Sequence, residues 1–209
     1  MRVAIRALAC LLFVAAPLVA DPEVATVQVL REGAGGGSGA VFRVEGRTSY
    51  VLTNKHVAPT AGRYKVRAAG KSHDAEWVAT SEPSDLALLK VGATLDSLPL
   101  ADHEPPPGAP VRVFGYGGFP KAGNVVGPFG ARLPGTGDIW RLTFSPEPGD
   151  SGSPVVDADG RLVGLLWGTA GFNDRRTCAV RLHEIKAFVA GHVGEPKAGP
   201  REMPPERGK

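Results

Sequence analysis

Pro148-Gly149-Asp150-Ser151-Gly152-Ser153-Pro154, running into Val155-Val156, decides how this chain is read. Two glycines flank one serine, a proline closes the turn, and a β-branched pair starts a strand. Glycine adopts backbone angles that strain other residues, so the turn can be sharp and can aim neighbouring N–H groups at one point. A serine at its apex exposes a hydroxyl beside oriented donors. Acyl transfer requires that arrangement: a nucleophile, and a cradle for the oxyanion that forms on attack. A plain Gly/Ser/Pro loop has the same composition, so the segment needs support from elsewhere in the chain.

That support lies upstream. A serine hydroxyl is a weak nucleophile until a base takes its proton, and the base needs an orienting carboxylate. The chain has five histidines, at positions 56, 73, 103, 183 and 192. His56 ends the β-branched, apolar run Tyr50-Val51-Leu52-Thr53-Asn54-Lys55-His56-Val57, which puts it at a strand terminus where an imidazole can project into a cleft. His73, in Gly70-Lys71-Ser72-His73-Asp74, reads as an exposed turn. His103 lies beside a proline run, and His183 and His192 fall in or just after a terminal helical pattern. Among the acids, Asp85 precedes the apolar run Leu86-Ala87-Leu88-Leu89, bounded by Pro83 and Ser84. A carboxylate at the mouth of a buried strand is costly to desolvate without a partner. Its other reading is a turn residue capping that strand. Asp102 is a reserve candidate among loop-like neighbours.

Three segments now carry a resemblance. Thr53-Asn54-Lys55-His56-Val57, Ser84-Asp85-Leu86-Ala87-Leu88-Leu89 and Gly149-Asp150-Ser151-Gly152-Ser153-Pro154 resemble the catalytic segments of chymotrypsin-fold (trypsin-like) serine proteases, in that family's order of His, Asp and Ser. The bacterial Deg-type proteases and the staphylococcal-type glutamyl endopeptidases are the most similar branches. Gly37-Ser38-Gly39-Ala40-Val41-Phe42 resembles the strand that those enzymes carry before the histidine segment. The resemblance covers roughly residues 24 to 193. It implies two six-stranded antiparallel β-barrels, with His56 and Asp85 from the first, Ser151 from the second, and the active site in the cleft between them.

Periodicity fits an all-β chain. Val24–Leu30, Gly39–Val44, Tyr50–Thr53, Tyr64–Ala68, Ala75–Thr80 and Leu86–Val91 read as short strands separated by Gly, Pro, Ser and Asn. A proline-rich stretch, Pro99–Pro110, reads as an interdomain connector. Val111–Gly115, Asn124–Val126, Ile139–Phe144, Pro154–Asp157, Leu162–Trp167 and Thr177–Leu182 follow as a second set. Closure of each set removes exposed strand edges. The first barrel is expected over about 24–98 and the second over about 109–182, within a protease domain spanning 21–193. Within Leu182–Val193, Leu182, Ile185, Phe188 and Val189 have helical spacing and predict a short C-terminal helix. The tail from 194 to 209 carries four prolines among charges and is expected to be disordered.

The beginning of the chain has the form of a secretory signal peptide. Arg2 and Arg6 precede a 14-residue uncharged stretch, Ala7–Ala20, too short to span a bilayer comfortably, with a cleavage site after Leu18-Val19-Ala20. An uncleaved anchor is the other reading. Removing residues 1–20 lowers the formal charge from +3 to +1, so the basic balance makes no case for nucleic acid or for a membrane after signal removal. Cys10 leaves with the signal and Cys178 remains, which excludes an intramolecular disulfide and leaves stability to the core. Cys178 reads as a small buried apolar residue. No metal-ligand cluster and no phosphate-binding loop is legible, so no metal or cofactor is expected. The expected location is secreted or periplasmic.

The resemblance also implies a mechanism and a specificity. His56 would deprotonate Ser151, Asp85 would orient His56, and the N–H groups of Gly149 and Ser151 would receive the oxyanion. The pocket for the residue before the scissile bond would be built from Ser145 and from Leu166-Trp167-Gly168. Ser145 carries no charge to attract Lys or Arg. Leu166 stands where the glutamyl branch has a histidine. Small or medium apolar residues of protein or peptide substrates are therefore expected, and Trp167 has core packing as its other role. Asp150 matches the vertebrate digestive branch, where this acid pairs with a newly freed N-terminus. No Ile-Val-Gly-Gly start is present here, which leaves Asp150 to solvent or to local hydrogen bonds. Two further classes remain open at this point: a protease fold kept as a binding module, and an acyl-ester hydrolase.

Overall fold

The computed structural model describes residues 21–116, 120–128, 135–169 and 177–193. The expected signal segment and tail lie outside the described residues. Six strands form the first barrel: β1 (Thr26–Arg31), β2 (Gly36–Glu45), β3 (Thr48–Thr53), β4 (Tyr64–Ala68), β5 (Lys71–Thr80) and β6 (Ala87–Val91). Six more form the second: β7 (Pro110–Val113), β8 (Lys121–Pro128), β9 (Ile139–Leu142), β10 (Pro154–Val156), β11 (Leu162–Thr169) and β12 (Thr177–Arg181), followed by helix α1 (Leu182–Ala190). Both barrels are closed, with neighbour orders β1-β2-β3-β6-β5-β4 and β10-β11-β12-β9-β8-β7. Renumbered from its own first strand, the second order is that of the first. All pairings within the barrels are antiparallel.

Alternation along the strands explains which faces close on themselves. On β4, Tyr64, Val66 and Ala68 are buried while Lys65 and Arg67 are exposed, the period-two pattern of a one-sided wall. β3 and β6 are covered on both sides. Val51 and Leu89 fill the first barrel's interior, whereas Leu52 and Leu88 join a core shared with the second barrel through Val156, Leu162, Leu165 and Val180. The unbroken apolar run around Leu86–Leu89 therefore marks the wall where the barrels meet. On α1, Ile185, Phe188 and Val189 pack into that shared core.

Three sequence expectations change here. His73 lies inside β5, opposite Val66 on β4, because the turn is shorter than its polar flanks imply. Ala69 and Gly70 alone make the connection, both with positive φ, as a tight two-residue hairpin demands. The proline-rich connector is partly fastened to the second barrel: Leu162 N–H donates to Pro99 O at 2.8 Å and Ala101 N–H to Leu162 O at 3.0 Å. The helix ends at Ala190, short of the expected Val193. Cys178 is a buried thiol in β12, in no disulfide, as its apolar setting required.

Candidate active site

The end of β3 and the start of β6 build one half of the site. Past Thr53 the chain turns helically, with Val57 and Ala58 N–H both donating to Asn54 O. That turn presents the His56 backbone and ring to Asp85. His56 N–H donates to Asp85 Oδ1 at 2.9 Å, and His56 Nδ1 lies 2.6 Å from Asp85 Oδ2. Asp85 itself is held by the turn before β6. Ser81 N–H donates to Leu86 O, Leu86 N–H to Ser84 O, and the Asn54 amide to Asp85 O. The Asp85 side chain is 7% exposed and that of His56 is 48% exposed. A carboxylate at Nδ1 favours the neutral tautomer that carries its hydrogen there, with Nε2 as the acceptor nitrogen.

The other half is the turn between Glu147 and Ser153. Asp150 N–H donates to Glu147 O and Ser153 N–H to Asp150 O, while Gly152 N–H donates to Leu166 O on β11. The N–H groups of Gly149 and Ser151 meet no acceptor among the described residues. Ser151 Oγ donates to Trp167 O at 3.4 Å. Gly152 has φ +86°, and a Cβ there would lie 2.1 Å from Ser38 O and 2.5 Å from Thr53 Oγ1. Only glycine lets the turn approach β2 and β3 this closely.

The two halves are joined through Ser38 on β2. Its N–H donates to Ser151 O at 2.7 Å, its hydroxyl donates to Gly149 O at 2.8 Å, and its carbonyl accepts from Thr53 Oγ1 at 2.7 Å. A second joint runs through α1: Glu184 accepts from Ser84 Oγ at 2.5 Å and from Asp138 N–H at 2.9 Å. Glu184 and Lys121 carry no local motif, and sequence reading missed them; Ser84 stands in the Asp85 segment, but its contact with Glu184 was not foreseen. Asp138, His183 and Glu184 bring their ligand-type atoms within 4.8 Å of one another, a grouping that their spacing along the chain does not reveal. Protein groups already engage it: His183 Nδ1 faces Glu104 Oε1 at 3.0 Å.

A cleft lined by His56, Asp85, Gly135, Thr136, Trp167, Gly168 and Thr169 opens over the site. Trp167 and Gly168 thus share the opening with His56, and Trp167 also packs on the shared core. Leu166 turns the other way, into the second barrel's interior. Ser145 is exposed outside that lining. Asp102 is remote in function: it pairs with Arg161 at 3.0 Å on the surface. A larger cavity lies at the side of the first barrel among Arg31, Glu32, Arg63, Lys65, Asp74 and Glu76 and includes none of the residues above.

A family model described as a trypsin-like peptidase domain matches residues 37–165. The chain belongs to this family. As a trypsin-like peptidase domain it is 30% identical over 143 residues to the serine protease Rv3671c of Mycobacterium tuberculosis, covering 57% of this chain and 34% of that protein. It is 32% identical over 147 residues to a probable periplasmic serine endoprotease, DegP-like, of Pseudomonas fulva, covering 65% and 29%. It thus spans about a third of the length of the curated relatives it matches. The crystal structure of the active form of the Rv3671c protease superposes with a TM-score of 0.70 at 25% identity, over 85% of each chain. Among the described residues no helix is long and apolar enough to cross a membrane.

Proposed function

We propose that this trypsin-like domain is a serine endopeptidase acting through Ser151, His56 and Asp85. The observation that carries the reading is the double grip of Asp85 on His56, at the backbone N–H and at Nδ1. It leaves His56 Nε2 as the ring nitrogen that can act as the base. Ser151 Oγ attacks the substrate carbonyl as His56 Nε2 takes its proton, and Asp85 stabilises the imidazolium. The tetrahedral oxyanion is received by the N–H groups of Gly149 and Ser151, which have no acceptor among the described residues. On collapse the C–N bond breaks and His56 protonates the departing amine. Water then attacks the acyl-serine ester with His56 again as base, freeing the acid and restoring the Ser151 hydroxyl.

Among the described residues, the cleft walls other than the His56–Asp85 pair are Gly135, Thr136, Trp167, Gly168 and Thr169, none of them charged. This supports cleavage after small or medium apolar residues of protein or peptide substrates rather than after Lys, Arg or Glu. Relatives named as periplasmic endoproteases support action outside the cytoplasm, secreted or periplasmic, by residues 21–193.

The test is the intact mass of the purified protein before and after a fluorophosphonate probe, with peptide cleavage followed in parallel. One adduct is expected, absent from both Ser151→Ala and His56→Ala. Ser151→Ala should lower peptide turnover by about 10⁴-fold or more while leaving thermal unfolding unchanged. No adduct on folded wild-type protein would favour a binding module. An adduct with cleavage of activated esters alone would favour an ester hydrolase.

A further inference from the structure

The reaction above makes no use of the Asp150 carboxyl, although this group is withdrawn from water beside the nucleophile. Its side chain is 1% exposed. Asp150 Oδ2 accepts from Lys121 Nζ at 2.7 Å and from Glu147 N–H at 2.8 Å. The ammonium also lies 3.6 Å from Glu147 Oε2, and the Lys121 side chain is 16% exposed. A carboxylate so enclosed persists only with an opposite charge and hydrogen bonds to replace its hydration.

The placement of the cation gives the pair its consequence. Lys121 opens β8, opposite Val113 on β7, and Val113 lies opposite Val155 on β10, the strand that the serine turn leads into. The ammonium therefore reaches the turn from the barrel wall. Asp150 sits between Gly149 and Ser151, two residues whose N–H groups meet no acceptor among the described residues. Gly149 has φ +97° and places no steric limit of its own on how its peptides are turned. With the Asp150 side chain drawn inward by Lys121, those peptides are fixed. With the cation removed, the stranded carboxylate gains by swinging toward water, and the N–H groups on either side rotate with it.

We propose that Lys121 is a positioning residue for catalysis: by pairing with buried Asp150, its ammonium holds the Gly149 and Ser151 N–H groups in the orientation that receives the oxyanion. The cation that assembles the site then comes from within the folded barrel. This inference rests on the serine-hydrolase reading and adds a residue to it.

The experiment uses the full chain with Lys121→Met, Lys121→Arg and Lys121→Met/Asp150→Asn. It measures thermal unfolding, kcat and KM on an alanine- or valine-directed peptide anilide, and the second-order rate of fluorophosphonate labelling. In Lys121→Met, kcat and labelling are expected to fall about 100-fold or more, the scale of losing an oxyanion donor, with KM changed less than about threefold. Lys121→Arg should recover to within about tenfold of wild type, since it restores the charge. The double variant strands no carboxylate and should label faster than Lys121→Met, yet about tenfold or more below wild type. Wild-type kcat and labelling in folded Lys121→Met would overturn the proposal, as would a loss confined to KM. Should Lys121→Met not fold, the double variant decides: slow labelling supports the assignment, and wild-type labelling overturns it. A wild-type protein that neither labels nor turns over would overturn the catalytic reading itself, and this one with it.

Discussion

The two barrels share one strand order, yet they hold their parts of the site in different ways. The first supplies His56 and Asp85 from the ends of β3 and β6, adjacent strands paired along Ser49–Thr53 and Ala87–Val91. Their contact is local to one wall and is fixed by two short hydrogen bonds to a single carboxylate. The second barrel supplies Ser151 from a turn with two positive-φ glycines, Gly149 and Gly152. That turn is held by partners that are remote in sequence: Ser38 from the first barrel, Leu166 on β11, and Lys121 at the start of β8. A strand-end site tolerates neighbouring change, whereas a turn assembled from distant contacts depends on close approach. The proposed base and the proposed nucleophile should therefore fail differently when disturbed.

The largest separation is expected from Asp85→Asn. Asparagine keeps the size of the side chain and can still accept from His56 N–H, but its amide no longer dictates that Nδ1 carries the proton. Turnover should fall about 10⁴-fold, with KM nearly unchanged and the unfolding transition close to wild type. Activity within tenfold of wild type would show that Asp85 does not set the tautomer, and the first half of the comparison would collapse.

Gly152→Ala probes the other half and should move stability as well as activity. Its methyl would stand 2.1 Å from the Ser38 carbonyl oxygen, which is backbone and has little freedom to retreat. Left-handed strain and overlap together cost about 3 kcal/mol or more. That predicts a Tm lower by about 6–10 °C, with slower fluorophosphonate labelling because the turn must lift from β2. A variant with wild-type Tm would mean that the turn yields easily, and the contrast between a fixed half and a fitted half would fail.

The same contrast explains what was legible in the sequence. Strand ends and barrel walls announce themselves locally: Tyr64, Val66 and Ala68 alternate, and the run Leu86–Leu89 is apolar throughout because both of its faces are covered. His56, Asp85 and Ser151 each sit in a short segment that can be matched by itself. What fastens the two halves is not legible from either partner's own stretch. Ser38 meets Gly149 across 111 positions, Ser84 meets Glu184 across 100, and Lys121 meets Asp150 across 29. Ser38, Ser84 and Asp150 stand in segments that the resemblance picks out, but Glu184 and Lys121 are ordinary polar side chains in their own stretches, and the pairings form only when the barrels close. Asp150 illustrates the limit. Its sequence context leaves it to solvent or to local bonds; the fold keeps one local bond, from Glu147 N–H, but buries the carboxylate against a lysine from another strand.

The smallest effect is expected where the charges are the same but the surroundings differ. Lys65 and Asp74, on β4 and β5, pair at 2.8 Å, nearly the distance of Lys121 and Asp150, but both side chains stand in solvent. The hydrogen bond from Lys65, and then its charge, holds the Asp74 carboxyl below its ordinary 3.8. Because the folded value is the lower one, the pair stabilises the fold above about pH 4, and that contribution disappears as pH falls through the folded value. Solvent screening keeps it small, so Asp74→Asn should lower Tm by about 1 °C or less at pH 7 and by nothing measurable near pH 2. Raising salt should shrink even the neutral-pH difference. A Tm loss of several degrees that persists in acid would mean that Asp74 acts through packing of the β4–β5 hairpin rather than through charge. Burial would then no longer be what separates this pair from the one beside Ser151.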